Sequence, residues 1–295
     1  MCMAILCVYG FGFQWPVENP VLTATFGENR RTHFHTGIDL GGGELEVHPI
    51  EDGEIIFYFR QGDSSSAIPT GLGNFLVIEH PRGIRSLYAH LKGGSLRVDD
   101  YAIEKQDTLG IIGDTGYSLG KHLHFEVFDK ELRQLVNPMR VLPELPDRNA
   151  PSINNILLVP GDYGGRQTSE IPLVASYTPE SGESIAAGVW TVLMDVYDLS
   201  EHVSYFCPLS PYRIQVFLNG QMVRSLVYDG LGENEARLVF IQAKGVSFPT
   251  FYLNEWLVNV GSITVPQGSV RIELVASDYA DNETSRLISL QASGR

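Results

Sequence analysis

Apolar residues in this chain come in short runs separated by turn-forming residues. In the first half the runs are Val21–Phe26, Gly53–Phe59, Phe75–Glu79, Arg85–His90, Thr108–Ile112 and His122–Phe128. Each is about as long as a strand, and none extends into a sustained 3.6-residue period, so the pattern predicts strands rather than helices. In the second half Trp190–Asp195, Tyr212–Leu218, Arg237–Gln242, Phe251–Val258 and Ser269–Ala276 alternate in the same way. Asn219-Gly220 falls between two strand-like runs and is a hairpin signature.

Between the halves, LPELPDRNAP (Leu142–Pro151) sets three prolines among charged residues and marks a linker. The chain is therefore expected to be mainly β. Residues 15–142 form a mostly antiparallel β-sheet domain, residues 143–151 a linker, and residues 152–295 a β-sandwich of immunoglobulin-like type. Residues 1–14 (MCMAILCVYGFGFQ) are apolar and uncharged and read as a truncated export leader. A buried first strand and a retained short anchor are the competing readings. No other segment reaches the length of a membrane span.

Composition changes this picture in two places. The formal net charge of −14 disfavours a nucleic-acid partner and gives no attraction to an anionic surface, so a polymer must be recognised by local groove contacts. The three cysteines, Cys2, Cys7 and Cys207, contain no CxxC pair and do not make a zinc–thiolate site. Cys207 reads as a small buried hydrophobe.

Candidate chemistry concentrates in the histidines, seven of eight of which precede residue 125. His35 and Asp39 are four apart; on a strand both point to one side, and imidazole nitrogen and carboxylate oxygen are ordinary zinc donors. His122 and His124, two apart, project to one face of a strand, with Leu123 turned into the core. His90 ends a strand-like run and is a third histidine able to reach the same groove.

The segments carrying these residues read FGENRRTHFHTGIDL (Phe26–Leu40), EDGEI (Glu51–Ile55), GNFLVIEHPRG (Gly73–Gly83), SLYAHL (Ser86–Leu91), LGIIGDTGYSLGKHLHFEV (Leu109–Val127) and VNP (Val136–Pro138). In this order they resemble the lysostaphin/LytM family of zinc metallopeptidases, over about the first 140 residues. The resemblance implies an antiparallel sheet with a substrate groove and one Zn2+ per chain. It implies that His35, Asp39 and His124 are the metal ligands and that His90 and His122 are the catalytic histidines. It also implies an exported or periplasmic endopeptidase acting on the stem or cross-link peptides of peptidoglycan. Its rival is a catalytically silent wall-binding module or an activator of another wall hydrolase. The C-terminal domain is expected to be accessory, to offer a surface for a protein partner, and to be dispensable for some cleavage.

The chain departs from the family pattern at Lys105-Gln106-Asp107 and at Gly41–Glu46, which reshapes the groove walls rather than the ligand set. Glu126 is a candidate for orienting a ligand histidine, with a charge-paired strand residue as the alternative. His33, His48, His80 and His202 read as structural, His33 with the best chance of lining the groove. Asp195, Asp198, Asp278, Asp281 and Asn282 do not follow a calcium-loop spacing, and DYADNE (Asp278–Glu283) reads as a turn closing a strand pair.

Overall fold

The computed structural model describes residues 12–61, 70–234, 237–241 and 246–294. Cys2, Cys7, most of the apolar stretch 1–14 and the expected surface loop Ser64–Pro69 lie outside the described residues. The chain packs into two compact units. The first draws on Met1–Val21, Asp39–Leu132 and Asn137–Glu144, the second on Leu22–Ile38, Arg133–Val136 and Leu145–Arg295. The units thus do not follow the chain as two uninterrupted pieces: residues 22–38, upstream of most of the first unit, pack with the C-terminal half.

In the first unit, β1 (Ile38–Gly41), β2 (Gly53–Phe59), β3 (Asn74–Glu79), β4 (Ile84–Leu91) and β5 (Leu123–Asp129) build the sheet. The order β5-β4-β3-β2 is antiparallel throughout, and β1 also pairs with β5. Alternation explains the burial: Leu123, Phe125 and Val127 are fully buried on one face of β5, which leaves His124 and Glu126 on the other. The expected strand at Thr108–Ile112 shrinks to Gly110–Ile111, paired with Glu46–Val47.

Two sheets make up most of the second unit. β6 (Ser152–Pro160) and β10 (Leu257–Val265) flank β7 (Gly188–Leu199) in one sheet. The other runs β9 (Gln221–Val227), β8 (Arg213–Leu218), β11 (Gly268–Ser277), β12 (Glu283–Ser293), with Ser184–Ala186 added parallel to β12. Val192, Met194 and Val260 from one sheet and Ile214, Ile272 and Leu274 from the other share a single apolar cluster. Asn219 and Gly220 both take positive φ, 52° and 82°, closing the β8–β9 hairpin as their sequence requires. Asp278 closes the β11–β12 turn by accepting from Asn282 N–H at 2.9 Å and Asn282 Nδ2 at 2.8 Å.

Phe26 and Phe34 belong to that same cluster. The Phe34 ring lies 4.5 Å from Phe240, 5.3 Å from Phe248 and 5.9 Å from Phe251, centroid to centroid. Gly27 makes this docking feasible: its φ is +82°, and a Cβ there would come within 2.7 Å of both Phe240 and Tyr228. One expected strand fails. Phe251–Val258 begins instead as a helical turn, Phe248–Phe251, and extended structure starts only at Leu257. Pro249 favours a helix start, and Thr250 Oγ1 bonds Ser247 through both its N–H (3.2 Å) and its carbonyl (2.8 Å).

Candidate metal centre

Asp39 and His124 face each other across the β1–β5 pair, with His124 Nδ1 2.9 Å from Asp39 Oδ1. Glu126 follows two residues later on the same face of β5 and accepts from His124 Nε2 at 3.0 Å. That bond holds the Nε2–H on Glu126 and turns Nδ1 toward Asp39. Burial opposes a charge on His124, but the bonds to Asp39 and Glu126 outweigh it and push the imidazole up to about 9.

His35 departs from the strand geometry expected of it. It lies in a loop, three residues before β1 begins, and its proximity to Asp39 comes from the bend at Thr36-Gly37. Its ring donates Nδ1–H to the Thr25 carbonyl at 2.8 Å, which makes Nε2 the unprotonated nitrogen of the neutral ring. Only three residues of chain separate His35 from Asp39, and ligand atoms of His35, Asp39 and His124 all lie within 4.8 Å of one another.

His90 and His122 stand beside this trio. The register pairs Ala89 with His124, so strict alternation would send His90 to the opposite face. Instead His90 takes φ +60°, a left-handed conformation, and its ring lies 6.0 Å from that of His124 and 4.8 Å from that of His122. Nδ1–H of His90 donates to the Thr115 carbonyl at 2.8 Å, and Nδ1–H of His122 to the Gly120 carbonyl at 2.9 Å. Both rings therefore present a bare Nε2, and that of His122 is 3.8 Å from Asp39 Oδ1. Burial pushes His90 down to about 4, against the Thr115 bond, so the ring is neutral at physiological pH.

The donor set fits a divalent metal of zinc's preferences. Two imidazole nitrogens and a carboxylate oxygen converge, and each imidazole is anchored through its other nitrogen. The other histidines are held elsewhere: His80 bonds Ser86 Oγ at 2.6 Å and the Asp52 carbonyl, His48 the Asp107 carbonyl, and His33 is exposed beside the Thr32 hydroxyl. In the Gly41–Glu46 passage, Glu44 bridges Lys92 and Lys121, which flank the strand ends carrying His90 and His122.

Thr115 and Gly120, whose carbonyls set the two bare rings, escaped the sequence reading, as did Thr25. Gly73 offers the missing signal. Its φ is +63°, and a Cβ there would fall 2.3 Å from the Thr115 carbonyl carbon, so glycine is needed for the two loops to meet.

The family model described as Peptidase family M23 matches residues 33–138. Residues 33–138 are an M23 peptidase domain. A second family model matches residues 150–293, marking a C-terminal domain of its own. The DD-carboxypeptidase/endopeptidase Mpg of Neisseria meningitidis serogroup B is 35% identical over 115 residues, which is 39% of this chain and 24% of that protein. The match thus spans about a quarter of that relative's length. A zinc containing peptidase from Vibrio cholerae shares 25% identity at TM-score 0.37, over 46% of this chain and 41% of that one. The catalytic domain of lysostaphin from Staphylococcus simulans shares 23% at TM-score 0.29, over 41% of this chain and 79% of that one. The M23 domain contains all five residues of the site: His35, Asp39, His90, His122 and His124. Among the described residues no helix is long and apolar enough to cross a membrane.

Proposed function

We propose that the chain is a zinc metallo-endopeptidase that hydrolyses stem or cross-link peptides of bacterial peptidoglycan. The observation that carries this reading is the orientation of four imidazoles around one carboxylate. His35 and His124 turn toward Asp39 with their opposite nitrogens anchored, while His90 and His122 offer bare Nε2 atoms alongside.

His35, Asp39 and His124 would hold the metal. A bound zinc ion supplies Lewis acidity for the scissile carbonyl and an acidified water. The rest falls to the chain's own groups. The bare Nε2 of His122 or His90 accepts the proton of the attacking water. The imidazolium so formed donates its Nε2–H to the leaving amine as the C–N bond breaks. Thr115 and Gly120 keep both rings in the tautomer that accepts first.

Residues 152–295 are, on this reading, an immunoglobulin-like accessory domain that places the enzyme on the wall or binds a protein partner, and the protein works outside the cytoplasm. The test is digestion of purified peptidoglycan by the zinc-loaded protein and by His122→Ala, with released fragments identified by mass. Cleavage by the native protein alone supports the enzyme and names the bond. No cleavage by either, with one zinc per chain, assigns the site to wall binding or to activation of another hydrolase.

A further inference from the structure

The M23 match begins at residue 33, just after the turn formed by residues 25–30. That turn holds His35. The ring rests on the Thr25 carbonyl at 2.8 Å. The backbone of His35 is bonded on both sides, its N–H to the Glu28 carbonyl and its carbonyl to Gly27 N–H, each at 2.8 Å. The side chain of Glu28 ties this turn together. Its Oε1 accepts from Thr25 N–H at 2.6 Å and from the Thr25 hydroxyl at 2.8 Å, and its Oε2 accepts from Arg30 at 3.2 Å. Glu28 is only 4% exposed, a placement a carboxylate tolerates when both oxygens are used. The Thr25 hydroxyl also accepts from Ser210 N–H at 2.9 Å, which fastens the turn to the core of the second unit.

We propose that Glu28 is a positioning residue for His35. The two carbonyls that fix His35, one gripping the ring and one the backbone, belong to Thr25 and Glu28, the two residues this carboxylate joins. Without it the Thr25 carbonyl is free to drift, and His35 loses the contact that keeps Nε2 directed at Asp39. A plug for a buried turn would account for the burial of Glu28 but not for this coincidence of partners.

The assignment rests on the zinc reading of the site. It is tested by measuring zinc dissociation constants, through competition with a chromophoric chelator, for the native chain, Glu28→Gln, Glu28→Asp and Glu28→Ala, each shown by circular dichroism to be folded at the assay temperature. Gln keeps an acceptor at the Oε1 position and is expected to stay within about 3-fold of the native affinity. Asp keeps the charge but is one methylene too short to reach Thr25. Asp and Ala are expected to bind zinc about 10–100-fold more weakly. If Ala fails to fold, Asp carries the test. Native affinity in a folded Asp or Ala variant overturns the assignment alone, and so does a Gln variant as weak as Ala. A native chain that takes up no zinc overturns the metal reading and the assignment with it.

Discussion

His124 sits on a strand of the first unit's sheet, and its orientation follows from alternation: Leu123 and Phe125 go to the core, His124 and Glu126 to the site. His35 sits in a loop, held by Thr25 and Glu28, and that loop is fastened among the aromatics of the second unit through Phe26 and Phe34. The two histidines offer the same kind of donor, yet one depends on local strand geometry and the other on tertiary packing with residues two hundred positions away. The loop that carries His35 therefore packs with residues of the C-terminal half.

The strongest way to break the comparison is to remove the second support. A chain ending at Pro151 exposes Phe26 and Phe34, each worth about 3–5 kcal/mol when truncated in a core. We predict that it loses zinc affinity by more than 100-fold and with it any cleavage, contrary to an independent peptidase domain; chelator competition and peptide release check this. Next in size is His124→Ala, which removes a donor and leaves Asp39 and Glu126 without their shared partner; equilibrium dialysis should find less than one zinc per chain. A finer cut is Phe34→Ala, expected to destabilise the second unit by about 3–5 kcal/mol in urea titration, with weaker zinc binding as a consequence. Glu126→Gln sharpens the other side: it keeps β5 intact and is expected to weaken zinc by about 10-fold.

A separate contrast concerns carboxylates in the second unit that have no imidazole among them. Ligand atoms of Asp147, Asp198 and Asp278 lie within 4.8 Å of one another. Burial first, then Asp147, Asp278 and Glu201, push Asp198 up to about 7. Because the folded state binds this proton more tightly than the unfolded chain, the contribution of Asp198 to stability is full below about pH 4 and is lost as the pH rises through about 7. Asp198→Asn should remove that decline, with a gain of at most about 4 kcal/mol at pH 8 and little at pH 4, read from urea midpoints.

These contrasts also explain what could be read from the sequence. β3 was legible as a short continuous apolar run, and β5 because apolar Leu123, Phe125 and Val127 alternate with His124 and Glu126. The Phe251–Val258 run misled because Pro249 and the Ser247–Thr250 pair, just upstream, favour a turn of helix over extension. The donors His35, Asp39 and His124 were legible because few side chains can bind a metal, and the spacing of two placed His122 and His124 together. The groups that aim the rings were not, because Thr25, Thr115 and Gly120 act through carbonyls, which every residue has. His35 was expected on a strand; its loop is specified by Glu28 and Ser210, and only the fold brings the latter near.

Anomalous diffraction at the zinc edge from crystals of the zinc-loaded protein tests the central claim most directly. The account predicts one ion bonded at about 2.0–2.2 Å to His35 Nε2, an Asp39 oxygen and His124 Nδ1, with His90 and His122 outside the coordination sphere. An ion bound through His90 or His122, or none between these residues, would contradict it.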